Sequence, residues 1–113
     1  MTTYQQNYDE TYPFSNQTMN TTLAASTAIS WTVPGDSKIT YRAKFSVSSG
    51  ADVWVRLNDI AVVPVSNTVT ETSNQERIDV WFQRYVRGGD TLSFISTGTP
   101  QVGVSLLQLP IAN

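Results

Sequence analysis

From Lys38 to Ser48 apolar and polar residues alternate without a break. Ile39, Tyr41, Ala43, Phe45 and Val47 fall on one side, and Lys38, Thr40, Arg42, Lys44, Ser46 and Ser48 on the other. A period of two belongs to a β-strand, whose successive side chains point to opposite faces. A strand with one apolar and one polar face suits an antiparallel sheet that packs on a core and leaves its other face wet. The chain must therefore supply a second layer to cover the apolar side.

The rest of the sequence offers that layer. Ile29, Trp31 and Val33 alternate with Ala28, Ser30 and Thr32, and Pro34-Gly35 follows as a type II turn. Val53, Val55 and Leu57 resume the inward phase, and Asn58-Asp59 turns the chain. A further strand is expected from Ile60 to Val65, with Pro64 confining it to an edge or a strand end. Residues 66–75 are polar and Thr-rich and read as a long loop or a weak edge strand. Ile78, Val80 and Phe82 begin a strand that is expected to run on to Val86, before the turn Arg87-Gly88-Gly89-Asp90. Leu92 and Phe94, then Val102, Val104 and Leu106, mark the last two strands. Seven or eight short strands at roughly 10-residue spacing imply an all-β, jelly-roll-like antiparallel β-sandwich.

Residues 1–20 stand apart as a polar block without that alternation. The expected division is an extended N-terminal arm over 1–20 and a sandwich domain over 21–113. A disordered tail and a short helix are the alternatives for the arm. Tyr4, Tyr8 and Tyr12 fall at helical spacing, but Asn, Asp and Thr are weak helix formers. The block has no Lys or Arg and no apolar core, so it does not read as a secretory signal.

Chemistry is limited by what the 113 residues lack. There is no His and no Cys. The commonest general base and transition-metal ligand are missing, and so is any thiolate. Absence of Cys fits a product of a reducing cytoplasm. The net charge is −2, and no basic stripe points to nucleic acid. No apolar run approaches the roughly 20 residues of a membrane helix. Asp36, Asp59 and Asp90 fall in turns, where Asp bonds its local backbone. A carboxylate pair for glycoside hydrolysis and a loop-held calcium ion are the weighed alternatives. The composition favours a non-enzymatic chain with no cofactor and no metal.

Aromatic placement points instead to contact surfaces. Trp54 is out of phase with Val53, Val55 and Leu57, and Trp81 with Ile78, Val80 and Phe82. Tyr85 shares the phase of Trp81. Exposed aromatic side chains mark an interface. The same residues also suit cover by the arm or a loop of the same chain, or a platform for sugar stacking. Lys38, Arg42 and Lys44 share a strand face that Arg56 is expected to extend. That face is either an ordinary wet surface or a partner for an acidic one. Tyr4, Tyr8, Tyr12 and Phe14 give the arm large contact area at low side-chain entropy cost. The expected interface set is thus Tyr4, Tyr8, Tyr12, Phe14, Trp54, Arg56, Trp81 and Tyr85.

The run Val53-Trp54-Val55-Arg56-Leu57-Asn58, followed by Pro64, Ser66, Asn67 and Thr68, resembles a pattern in small structural proteins of tailed bacteriophages. Trp81 through Tyr85 and then Gly89-Asp90-Thr91-Leu92 match its later strand and turn. The family often has Gly after the Asn, where this chain has Asp59. The order of elements is also similar to the jelly roll of tumour-necrosis-factor-like trimers. The resemblance covers about residues 28–109. It implies a head decoration, or cement, protein on the capsid exterior, made in the host cytoplasm. Its implied partners are the major capsid protein and further copies of itself, with a trimer favoured and a dimer as the alternative. A receptor- or carbohydrate-binding module of a tail or fibre is the second function implied.

Overall fold

The computed structural model describes residues 14–79 and 82–110. Among them are eight β-strands: β1 (Gln17–Thr22), β2 (Ile29–Thr32), β3 (Thr40–Val47), β4 (Val53–Leu57), β5 (Gln75–Arg77), β6 (Gln83–Arg87), β7 (Thr91–Ser96) and β8 (Gln101–Gln108). They form two four-stranded sheets, in the orders β1-β8-β3-β6 and β2-β7-β4-β5. All pairings are antiparallel. The protein is a β-sandwich. Its chain changes sheet at every connection except that from β4 to β5.

The alternation of β3 does what it implies. Tyr41, Ala43 and Phe45 are buried, while Arg42 is half-buried and Lys44 and Ser46 are exposed. The register carries this phase across the sheet. Ala43 faces Leu106, Phe45 faces Val104 and Tyr41 faces Val86, all of them core residues. From the other sheet come Val53, Val55, Leu92 and Phe94. Phe45 joins the layers, with its ring 5.1 Å from Phe82, edge-on, and 6.2 Å from Phe94.

Three expectations change. The polar block 1–20 does not stay outside the sandwich, because Gln17–Thr22 pair with Gln101–Leu106 of β8. The inward positions of β1 are Gln17, Met19 and Thr21, opposite Leu106, Val104 and Val102. An edge strand covered from one side tolerates such a weak apolar signal, so alternation alone misses it. Residues 1–13 of the expected arm lie outside the described residues.

The run Ile60–Val65 is not a strand. It belongs to the loop between β4 and β5. The expected strand over 78–86 begins just after β5 and reaches β6 only at Gln83, in the other sheet. The chain leaves β5 and crosses to β6 through a corner at which Ile78 and Phe82 are both buried. There the Ile78 N–H donates to Val53 O (2.9 Å), and the Phe82 carbonyl accepts from Phe45 N–H (3.1 Å). A corner that buries both ends looks in sequence like one alternating strand.

The turns are tightly built. Gly35 has φ +91°, which suits the third position of a type II turn. Asp36 Oδ1 accepts from Lys38 N–H (2.9 Å), Asp59 Oδ1 from Ile60 N–H (2.8 Å), and Asp90 Oδ2 from Arg87 N–H (2.9 Å). Lys38 is therefore a turn residue before β3 and not a member of its outer face. The turns at 34–36 and 87–90 lie against each other. The Val33 N–H donates to Asp90 O (2.8 Å) and Gly89 N–H to Val33 O (2.9 Å).

Gly88 is where they touch most closely. A Cβ there would stand 2.3 Å from Asp36 O and 2.5 Å from Gly35 C, both backbone atoms that cannot swing away. Gly88→Ala is expected to lower stability by about 1–3 kcal/mol, as overpacked sites do. Gly98→Ala, where the nearest neighbour is Pro100 Cδ at 4.0 Å, is the control and is expected within about 0.5 kcal/mol of the parent. Urea midpoints measure both. Equal midpoints for the two variants would refute the packing described.

Candidate assembly surfaces

The sandwich has two outer faces, and they differ. On the β2-β7-β4-β5 sheet the outward phase holds Trp54 and Arg56 of β4, opposite Ile95 and Ser93 of β7. Ser93 and Ile95 are nonetheless buried. The β4–β5 loop lies down on them. Ala61 is buried, and its N–H donates to the Ser93 hydroxyl (3.0 Å).

Two side chains hold this loop. Arg56 donates from Nε to Ser73 O and from Nη1 to Ile60 O, each at 3.0 Å, and its Nη2 lies 3.3 Å from Asp59 Oδ2. Gln75 pairs with Val62 as a strand would: its Oε1 accepts from Val62 N–H (3.0 Å) and its Nε2 donates to Val62 O (2.8 Å). The side-chain amide occupies both backbone groups that a neighbouring strand would have used. Ile60–Val65 thus keeps a strand-like composition without a ladder.

This arrangement has an outward consequence. With Ala61 tucked under, its neighbours face water. Ile60 and Val65 are each 62% exposed, Val62 41% and Val69 91%. All four lie on the β4–β5 loop and give it an apolar crest of separate side chains.

The other outer face belongs to β1-β8-β3-β6. One row across it reads Leu107, Arg42, Tyr85. Arg87 pairs with Thr40 one row away, and Lys44 with Gln83 on the other side. Tyr85 is 68% exposed. No carboxylate occurs among the outward strand positions of this sheet. Towards its far end the face becomes uncharged. Gly103 is covered by Asn20 and Ser46, whose side-chain oxygens would stand 2.8 and 2.9 Å from a Cβ there. A shallow depression of about 390 Å³ opens beside it, lined by Thr22, Ser48 and Gln101 among others.

Between the sheets, at the β5–β6 edge, Arg84 reaches over to Glu76. Its Nε donates to Glu76 Oε2 (2.8 Å), and Nη2 pairs with Oε1. The guanidinium also lies over the Phe82 ring, 4.1 Å from its centroid. Behind this pair is an apolar cleft of about 170 Å³ lined by Phe45, Val55, Leu57 and Leu92. The hydrogen bonds from Arg84 hold the Glu76 carboxyl below its ordinary value, against the opposing effect of partial burial.

The expected interface residues thus separate. Phe14 is 99% exposed just before β1. Trp54 is half-buried on the face the loop covers. Tyr85 stands on the opposite face, so the structure does not bring it together with Trp54. Arg56 does not extend the Arg42 and Lys44 face, because β4 lies in the other sheet and points it the opposite way. Its three loop contacts leave its side chain 16% exposed. Tyr4, Tyr8, Tyr12 and Trp81 lie outside the described residues. Ile60, Val62, Val65 and Val69 are the exposed residues that strand assignment conceals. Pro64 within an apolar run, between Arg56 and Gln75, is the signal that could reveal them.

No family model, no curated protein and no solved structure matches this chain.

Gln75→Ala is expected to release the loop without unfolding the sandwich. Two hydrogen bonds at about 1 kcal/mol each are lost. Hydrogen exchange at Ala61–Val65 should quicken while β3 and β8 exchange as before. Unchanged exchange in the loop would mean that Gln75 does not hold it.

The Glu76–Arg84 pair sets an acid dependence. The folded carboxyl titrates below its unfolded value. The pair's stabilisation is therefore full above the ordinary glutamate range, near pH ~4.3, and is lost as pH falls through the folded value. The pair is half-exposed, so the effect is under about 1 kcal/mol. Glu76→Gln should flatten this part of the stability–pH curve between neutral and acid pH. A curve of unchanged slope would remove the pair from the account.

Proposed function

We propose that this chain is a bacteriophage virion structural protein, a decoration protein that binds over junctions between major capsid proteins and stabilises the head. The observation that carries the assembly role is the apolar crest Ile60, Val62, Val65 and Val69. Among the described residues the core closes without these side chains, and exposed apolar groups suit a protein contact. Arg56 and Gln75 present them on a braced loop, so little ordering is left for binding to pay for.

Strand order supports the finer architecture. The arrangement β1-β8-β3-β6 over β2-β7-β4-β5 is what two interleaved Greek keys produce, and we infer that the sandwich is a jelly roll. The phage assignment rests on the resemblance of Val53–Asn58, Pro64–Thr68 and Gly89–Leu92 to phage structural proteins. A homotrimer suits a chain whose own core is small. The second function, carbohydrate binding in a tail or fibre, is favoured by one feature. The hydroxyl- and amide-lined depression beside Gly103 offers uncharged hydrogen-bonding groups to a sugar.

The test is addition of the purified full chain to tailed-phage heads assembled without it. Saturable binding, density over capsid junctions and greater heat resistance are expected. Val62→Glu with Val65→Glu should weaken binding by about tenfold or more while the melt stays cooperative. Density on the tail, or binding to a glycan array without binding to heads, would replace this function with the second one.

A further inference from the structure

The two sheets end in four edge strands, β1 and β6 in one and β2 and β5 in the other. An exposed edge offers unpaired backbone N–H and C=O groups to another chain, and proteins blunt such edges with short strands, charge or Pro. Three of the four edges are blunted in this way. β5 has three residues, two of them Glu76 and Arg77; β6 carries Arg84 and Arg87; β2 has only four residues. Glu76 and Arg84 also clasp each other across the β5–β6 side. β1 differs. Its six residues, Gln17–Thr22, include no charge and no Pro, and among the described residues no strand lies on its outer side.

The hydrogen-bond phase of β1 is fixed at its end. Leu23 N–H donates to Pro100 O (2.9 Å), one step beyond the pair Thr22–Gln101. Bonded and non-bonded pairs alternate along an antiparallel ladder. Thr21 and Met19 therefore bond to β8, and the backbone groups of Thr18, Asn20 and Thr22 point out of the sheet edge. These positions are symmetric about Asn20. An identical strand running the other way sets Asn20 opposite Asn20 and Thr18 opposite Thr22, and each outward backbone group among them meets a partner. The cross-strand neighbours are then Thr with Thr and Asn with Asn, uncharged and able to hydrogen-bond.

The core gives a second reason. β1 and β2 are the edges on the side of the sandwich away from the Glu76–Arg84 pair. Along this side the inward positions are incompletely covered. Ile29 of β2, opposite Phe94, is 41% exposed, and Met19 and Trp31 are only partly buried against the core. In the symmetric register Met19 lies opposite Thr21 of the second copy in a non-bonded pair with respect to the new ladder, the kind in which side chains come closest. We propose that β1 pairs antiparallel with β1 of a second copy of this chain, about a two-fold axis at Asn20, so that two four-stranded sheets become one of eight strands. The contact is isologous and closes at two copies, which selects the dimer from the two assemblies that the sequence leaves open. The inference goes beyond the capsid reading and does not rest on it.

The absence of Cys makes the test direct. Across the two-fold axis the Cα atoms of the two Asn20 residues fall about 5.5 Å apart, within the span of a disulfide. Full-length Asn20→Cys is expected to form a disulfide-linked dimer under mild oxidation. Thr18→Cys and Thr22→Cys should each stay unlinked alone, because identical positions then lie about 13 Å apart along the strand, and should give a mixed dimer when combined. In parallel, Asn20→Lys and Asn20→Asp should each weaken self-association several-fold by sedimentation, and an equal mixture of the two should recover it as a mixed dimer. Circular dichroism and melting check that each variant is folded. Equal linking at all three positions, no linking at Asn20, or association that ignores both charges would overturn the inference. A trimer that forms without the Asn20 link would also overturn it and leave the homotrimer standing. Heads that fail to bind a chain that still links through Asn20 would overturn the capsid assignment and leave this contact in place.

Discussion

Phe45 is the point at which the two sheets become one structure. It comes from β3 of one layer and meets Phe94 of the other and Phe82 at the corner between them. The chain changes sheet at almost every connection, and this contact joins the two layers within the core they share. It also belongs to the longest alternating run in the sequence. A Phe buried at such a site costs about 3–5 kcal/mol to truncate, a large part of the stability of a small domain. The crossing from β5 to β6 hangs on the same ring, since Phe82 is both the corner and its edge-on partner.

The second constraint lies on the outside of β7. A central strand that presented Ser93 and Ile95 to water would be an ordinary wet face. Here the β4–β5 loop covers it, and covering it brings backbone polar groups down onto an apolar surface, where each needs a partner. Ser93, Arg56 and Gln75 provide them. Among the described residues no buried side-chain nitrogen or oxygen is left without a hydrogen bond. Because those partners are side chains, the loop does not need a ladder, and its apolar residues are free to point outward. Satisfying the backbone from below is what creates the exposed crest above.

How much of this can be read in the sequence depends on whether a strand's burial is one-sided. β3 and β4 alternate, and their inward faces are legible residue by residue. β7 is covered on both sides, and Leu92 to Ile95 gives no phase, so the burial of Ser93 and Ile95 is invisible. β1 fails for the opposite reason: its inward side carries Gln17 and Thr21, too polar to stand out from the block before it. Ile60–Val65 has strand composition, and only a side chain much later in the chain, Gln75, removes it from the ladder. The sheet to which a strand belongs is not written in its alternation either. That is why Arg56 reads as a neighbour of Arg42 although the two point in opposite directions. The turns, by contrast, are local chemistry, and Asp36, Asp59 and Asp90 bond the backbone as their positions imply.

The two outer faces follow from these differences and suit different contacts. The face under the loop is chemically complete. Its loop backbone is held by Arg56, Gln75 and Ser93, and it shows outward both aliphatic side chains and the exposed polar ones between Ser66 and Asn74. The outward strand positions of the β1-β8-β3-β6 sheet carry cations and a tyrosine at one end and hydroxyls and amides at the other. A contact there is charge-assisted and weakens as ionic strength rises, with a screening length near 10 Å at about 0.1 M salt. Residues 58–74 lie over part of one sheet and are braced there by Arg56 and Gln75, so among the described residues the two outer faces of this small sandwich differ in physical character.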